Sequence, residues 1–532
     1  MASLYFKGKS VVWNHHLSVS YHILAKDKKK SLKGKNEDEN LIIEGDNLLA
    51  LKALLPKYQG RVKCIYIDPP YNTGNEGWAY NDNVNNPLMK NWIGEVVGKD
   101  DLTRHDKWLC MMTPRLKLLQ ELLSNDGVIF ASIDENEVHH LRQLMDEIFI
   151  ESNFITNFIW NHRKSSQNDI DFSLSHNNTL CYAKNRENFK FNSLEIDEAK
   201  FSNPDNDPRG PWVADPFDAP NIRPNLTYPI INPNTSVKYL PPPGRCWRTT
   251  REKFLEALKD NRIIWGKSGK SKPQMKRFQS DAELKGTNPF TIWDDVGTAT
   301  EGTQELMEIF GGVKVFDTPK PVSFINKILK LSTNKDSIIL DSFAGSGTTA
   351  QAVIEMNNDG GSRKFILIQL PETLTAKAQA KAAGYDYVHE ITRDRVKKVI
   401  KRDGLDVGFT YYKLGPSIDA DSILAGKLPT YEDFAKYVFY LATGKNHPDE
   451  KKIKEKDYFV GKLNNESIYL LYKKDINILK NLSITLDWAE QINKKNSGKK
   501  IVYAPACFLD DEYLERFNIQ FVSIPYNLLE KK

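Results

Sequence analysis

Cysteine is sparse in this chain and poorly placed for pairing. Its five cysteines (Cys64, Cys110, Cys181, Cys246 and Cys507) are scattered, odd in number and nowhere at CxxC spacing. That argues against a disulfide framework and a cysteine-held zinc site, and no metal is expected; a reducing, cytoplasmic setting is. There is no run of about 18 apolar residues and no signal-peptide pattern, so neither membrane insertion nor secretion has support. No repeat of about 20–50 residues stands out, which argues against a solenoid. Net charge is small as well, 74 Lys and Arg against 69 Asp and Glu, or +5 over 532 residues. A nucleic-acid surface would therefore be a local patch and not the whole protein.

Apolar residues make up 40% of the chain, enough for a sizeable core. At about 150 residues per domain the length suggests about three domains, or one large α/β core with inserts. Residues 1–40 are polar and lysine-rich and are expected to be peripheral. Over 41–185, strand and helix patterns alternate. LIIEGDNLLALKALL reads strand, turn, helix; VKCIYID and GVIFASID read as strands; HDKWLCMMTPRLKLLQELL carries apolar residues at helical spacing. This alternation predicts a mostly parallel sheet. Over 186–310 the rhythm breaks down among prolines, glycines, asparagines and tryptophans, and a loop-rich insert is expected. It resumes over 311–415, and 416–532 reads as a separate small α/β domain.

SIILDSFAGSGTTAQAV reads as a strand, a tight turn and a helix start. Gly345 and Gly347 permit positive φ and close backbone approach. Free amides at the helix start favour an anion, phosphate or carboxylate alike. GSGTTA also fits G-x-G-x-x-A, so a dinucleotide site is open at this point, while the lack of a following lysine argues against a P-loop. Glu372, past the end of the next strand, is placed for ribose hydroxyls.

A second turn, DPPY (Asp68 to Tyr71), also follows a predicted strand, where open parallel sheets bind ligands. Pro69 and Pro70 fix φ and remove two donors. The Asp68 carboxylate and the Pro69 carbonyl remain as acceptors beside a flat tyrosine ring. Two acceptors suit an exocyclic amino group, a ring suits a stacked base, and a base taken out of its helix needs both. Asp341 lies 273 residues beyond Asp68, yet a parallel sheet could set the two turns side by side.

DPPY followed by FAGSG, with an insert between, resembles the β class of DNA amino-methyltransferases, which use S-adenosylmethionine. DTPKP (317–321), EGDN (44–47), FIW (158–160), SHNNTLCYAKN and GKSGKSKPQMKRF resemble segments of type III restriction–modification Mod subunits. The resemblance covers about residues 10–415 and, more weakly, the tail. It implies an α/β, Rossmann-like methyltransferase sheet with an inserted DNA-recognition domain and a small C-terminal domain. The DPPY half would be 41–185, the target-recognition insert 186–310, the cofactor half 311–415, and a domain for partner or dimer contacts 416–532. The implied activity is methylation of a flipped-out adenine at N6. The implied partners are double-stranded DNA, a second copy of the chain and a helicase–nuclease restriction subunit.

By the same resemblance, Asp68, with Pro69 and Pro70, accepts from the adenine amino group and Tyr71 stacks on the base. Phe343, Ala344, Gly345, Ser346, Gly347 and Thr348 cradle the methionine part of the cofactor, and Asp341 shapes that loop. Lys320 orients the cofactor carboxylate, Asp46 accepts from the cofactor adenine and Glu372 from its ribose. In the insert, Lys267, Lys270, Lys272, Lys276 and Arg277 are expected at DNA phosphates. His139 and His140 are expected to pack or face solvent, and His176 to lie near the base pocket. Methylation of cytosine N4, transfer to RNA or to a protein amide, and a DNA-binding subunit without turnover are the alternatives; a nicotinamide oxidoreductase leaves DPPY unexplained.

Overall fold

The computed structural model describes residues 3–73, 103–166, 171–194, 196–266, 268–285, 288–374 and 379–524. Ten strands form the central sheet: β1 (His22–Lys26), β2 (Leu41–Glu44), β3 (Val62–Ile67), β4 (Leu123–Ile133), β5 (Phe154–Asn161), β6 (His176–Ala183), β7 (Ile292–Trp293), β8 (Ile338–Asp341), β9 (Lys364–Gln369) and β10 (Thr410–Ser417). Their order is β1-β10-β2-β9-β8-β3-β4-β6-β5-β7. From β10 to β4 every neighbouring pair is parallel. The edge strand β1 is antiparallel, as are the β4–β6 and β5–β6 pairs. Central strands of such a sheet bury both faces, which is why VKCIYI and KFILIQ read as near-continuous apolar runs.

Seven helices matter for the site: α1 (Asn47–Tyr58), α2 (Arg104–Leu122), α3 (Val138–Phe149), α4 (Ala299–Ile309), α5 (Val322–Ser332), α6 (Thr348–Met356) and α7 (Val388–Arg402). Leu51, Leu54, Trp108, Leu116 and Leu144, from α1 to α3, are buried in one apolar cluster with Ile65, Ile129 and Ile366 of the sheet. Among the described residues, no helix is long and apolar enough to cross a membrane.

Residues 1–40, expected at the periphery, instead supply β1 and bury Phe6, Val12 and Val19 in the main core. Their lysine run dominates the local composition and masks widely spaced apolar anchors. The C-terminal segment builds its own four-stranded sheet, β11 (Phe459–Leu463), β12 (Glu466–Leu470), β13 (Lys499–Ala504) and β14 (Ile519–Ser523). It shares a core with the N-terminal part: Tyr21 and Ile23 cluster with Phe434 and Val438, and the Tyr21 and Tyr437 rings stack at 4.3 Å.

Residues 192–290 form a second compact unit. It holds a three-stranded sheet (Trp212–Pro216, Ile263–Ile264 and Gln274–Phe278), two short strand pairs and a core around Phe217, Trp247 and Phe254. The strand and helix at Ile292–Trp293 and Ala299–Ile309 belong to the first unit, so this compact unit is narrower than the 186–310 expected.

Candidate functional site

β3 and β8 are direct neighbours, with Tyr66 opposite Asp341 and Ile65 opposite Leu340. The DPPY turn and the glycine turn therefore leave adjacent strand ends on the same edge of the sheet. One cavity of about 500 Å³ is lined by both, and its lining residues include Asp68, Tyr71, Trp160 and His176, and Phe343, Gly345, Thr348 and Glu372. That volume is in the range of small-ligand sites.

The DPPY turn is stiff for more reasons than its prolines. Tyr71 donates its hydroxyl to Asp68 Oδ1 at 2.9 Å. Trp108 Nε1, from α2, donates to the Pro70 carbonyl at 2.7 Å. Lys320 donates to Asp68 Oδ2. Its ammonium also lies 5.3 Å from the Tyr71 ring centroid and 5.8 Å from that of Trp160. Trp160 is itself held, its Nε1 donating to Gly297 O at 2.9 Å. The ammonium is thus held at the carboxylate, close to two aromatic rings. Burial, and next the charge of Asp68, push the Tyr71 phenol well above its ordinary pKa, so it stays a neutral donor to that carboxylate.

In the glycine turn, Gly345 and Gly347 take φ of +52° and +85°. A Cβ on Gly347 would lie 3.1 Å from the Thr392 carbonyl, and one on Gly345 3.2 Å from the Phe316 ring. The turn is fastened by Gly345 N donating to Gln369 Oε1 at 2.7 Å and by Thr392 Oγ1 donating to Gly345 O at 2.6 Å. Below it, Asp341 accepts from Phe343 N at 3.0 Å and Thr349 Oγ1 at 2.5 Å. Burial raises the Asp341 carboxyl to about 7, against the pull of those two donors. Fully buried Arg395, on α7, donates from Nη1 to Ser346 Oγ and Thr348 Oγ1 at 2.8 and 2.6 Å. The buried Ser342 hydroxyl, lining the same cavity, has no partner among the described residues.

The remaining expected residues are placed as follows. Asp46 caps α1, accepting from Leu48 N at 2.7 Å, and Arg115 Nη2 reaches both of its oxygens at 3.2 Å. Glu372 and His176 line the cavity, and His176 lies 3.3 Å from Glu135. His140 packs against His139 and His105 and bonds to Glu137. Lys267 lies outside the described residues. Lys270 is exposed, Lys272 lies 3.3 Å from Asp218, and Arg277 lies 3.1 Å from Asp215. Acids from elsewhere in the unit thus partner a run that has none of its own.

Lys276 departs most from expectation. Its side chain has no exposed surface, and its ammonium is 2.5 Å from Asp205 and 2.8 Å from Asp207. The cause is strand alternation: in Gln274–Phe278, Lys276 and Phe278 point inward and Arg277 outward. Such a lysine holds its unit together and is not available to a phosphate. Lys276→Met should lower stability by about 3 kcal/mol, the low end for breaking a buried pair because Asp205 is partly exposed. Urea unfolding of the full chain measures this, and an unchanged midpoint would contradict it.

Sequence reasoning missed Trp108, Trp160, Arg395, Ser342 and the partner of Lys320. Ser342 lay inside the glycine-turn motif and Trp160 in FIW, but nothing in those motifs marked either residue for its role.

The profile of the N6/N4 DNA methylase family matches residues 62–393. The chain is 34% identical over 436 residues to the type III restriction–modification enzyme StyLTI Mod subunit of Salmonella typhimurium, covering 77% of this chain and 65% of that one. It is 35% identical over 426 residues to the EcoPI Mod subunit of Escherichia phage P1, covering 71% and 65%. It is 32% identical over 403 residues to the type II methyltransferase M.KpnI of Klebsiella pneumoniae, covering 70% and 90%. The chain thus spans just under two thirds of the length of these two Mod subunits.

Proposed function

The chain belongs to the N6/N4 DNA methylase family, and on that premise we propose that it methylates the N6 amino group of an adenine flipped out of double-stranded DNA, as the modification and recognition subunit of a type III-like restriction–modification system. The observation that carries this is the adjacency of Asp68 and the glycine turn at neighbouring strand ends, lining one cavity. The Mod names of the relatives favour adenine and a restriction partner. In this reading the insert recognises the target sequence, and a second copy of the chain and a helicase–nuclease subunit complete the assembly.

The glycine turn fits S-adenosylmethionine. It offers a backbone cradle that a Cβ would crowd, a helix N-terminus for a carboxylate, and the Ser342 hydroxyl, which has no partner among the described residues. Phe343 to Thr348 would hold the methionine part and Glu372 the ribose. When bound, the cofactor supplies an electrophilic sulfonium methyl group. The residues of this chain prepare the nucleophile. Asp68 accepts the N–H hydrogens of the target amine, so the nitrogen lone pair is less delocalised into the ring. Tyr71 supplies the stacking face, and Trp108 and Lys320 hold the acceptor in place. Catalysis is then positioning and electrostatics.

The deciding experiment is sequencing of modified bases in DNA from cells expressing this chain. N6-methyladenine confined to one short recognition sequence is the expected result. N4-methylcytosine there would overturn the choice of base, and unmodified DNA the enzymatic reading.

A further inference from the structure

A buried carboxylate stands behind the DPPY turn with no part in the chemistry described so far. Glu137 precedes α3, and its side chain has no exposed surface. It accepts from Asn72 Nδ2 at 2.6 Å, and it bonds to His105 Nδ1 at 2.7 Å and His140 Nδ1 at 2.8 Å. Arg104 Nε donates to His105 Nε2 at 3.3 Å, which leaves Nδ1 as the donor facing Glu137. A buried carboxylate needs its oxygens hydrogen-bonded, as these are.

Asn72 connects this cluster to the active turn. It follows Tyr71 directly and has φ of +58°, a left-handed conformation that asparagine adopts more readily than other non-glycine residues. Its side chain holds it there by donating to Glu137 and, at 3.2 Å, to the Arg104 carbonyl. Asn72 is bonded to Tyr71, so its two side-chain bonds anchor the C-terminal end of the turn whose tyrosine donates to Asp68.

We propose that Glu137 is a positioning residue for methyl transfer: through Asn72 it anchors the end of the turn that carries Tyr71 and Asp68. This rests on the reading of Asp68 as acceptor of the target amine. Atoms of His105, Glu137 and His140 all lie within 4.8 Å of one another, a spacing that a metal ion could use. Here, however, both Glu137 oxygens already face N–H donors, and the Asn72 amide and the Arg104 guanidinium border the cluster. The arrangement is that of a carboxylate whose bonds are already taken up by protein groups.

The test compares Glu137→Ala, Glu137→Gln, Asn72→Ala and the Glu137→Ala/Asn72→Ala double variant. A misplaced reacting group costs about 100-fold in rate. Single-turnover methyl transfer should fall by about that factor in Glu137→Ala and in Asn72→Ala, and no further in the double variant. Glu137→Gln should recover most of the rate, because its carbonyl still accepts from Asn72. Cofactor affinity should stay unchanged throughout. Amide exchange over 71–73 should quicken in Glu137→Ala. That last readout needs no activity: if wild type transferred no methyl group, the proposed function would fail while exchange still decided the role of Glu137. Unchanged exchange, additive losses, or stoichiometric Zn²⁺ binding by wild type that Glu137→Ala abolishes would each overturn the proposal.

Discussion

Asp68→Asn is expected to lower single-turnover methyl transfer by about 10³-fold, the upper range for removing one preorganised polar group. It should leave cofactor affinity nearly unchanged. The substitution keeps the shape of the side chain but turns one oxygen into an N–H donor. Asp68 Oδ1 accepts from Tyr71 and Oδ2 from Lys320. The amide can satisfy one of these, and its NH2 group then faces either a hydroxyl, which can rotate to accept, or an ammonium, which cannot. The amine of a target base meets a mixed donor–acceptor edge in place of a carboxylate, and the field that localises its lone pair is lost. The cofactor side is untouched, since Gly345 and Thr348 take their bonds from Gln369, Thr392 and Arg395. Calorimetric cofactor titration beside a labelled-methyl assay separates the two. Transfer at the wild-type rate would remove Asp68 from the mechanism, whereas lost cofactor affinity would place it at the other end of the cavity.

The central strands could be read from sequence because a parallel sheet covered on both faces leaves apolar runs with turn residues at their ends. The two turns were legible for a similar reason: positive φ at glycine and fixed φ at proline are short-range stereochemistry, written in consecutive residues. That β3 and β8 are neighbours was only a possibility, because pairing between strands so far apart leaves no local mark. The residues that hold the site were harder still. Trp108, Glu137 and Arg395 come from helices or helix starts that look amphipathic and ordinary, and their partners lie between 38 and 65 residues away. Lys276 was misplaced by a different mechanism. Its run of basic residues was read as exposed loop, while a five-residue strand turned one member of the run inward onto acids more than 65 residues earlier. Charge runs show composition, and strand alternation decides which charges face water.

Lys320→Met is expected to slow saturated methyl transfer by about 100-fold while cofactor affinity changes little. The lysine backbone is clamped from two sides. A Cβ on Gly302 of α4 would lie 2.6 Å from the Pro319 carbonyl, so only glycine lets that helix come so close. Thr348 Oγ1, on the glycine turn, donates to Lys320 O at 3.2 Å. The side chain is thereby delivered to Asp68, with side-chain exposures of 10% for Lys320 and 24% for Asp68. Methionine keeps the length and bulk and removes the charge. Breaking a buried pair costs about 3–5 kcal/mol, and discounting for the exposure of Asp68 leaves about 2–3 kcal/mol in carboxylate placement. At about 1.4 kcal/mol per decade that is about 100-fold in rate. Two other roles predict different results. A lysine serving only the cofactor carboxylate would raise the cofactor Kd and leave the saturated rate alone. A lysine that merely blocks the amino-group position would, when removed, make transfer faster. The ion pair with Asp68 carries the prediction over both, because it leaves Lys320 acting on the acceptor itself: a carboxylate oxygen has two lone pairs, so the ammonium can hold Oδ2 in place and still leave it one position open to the target amine.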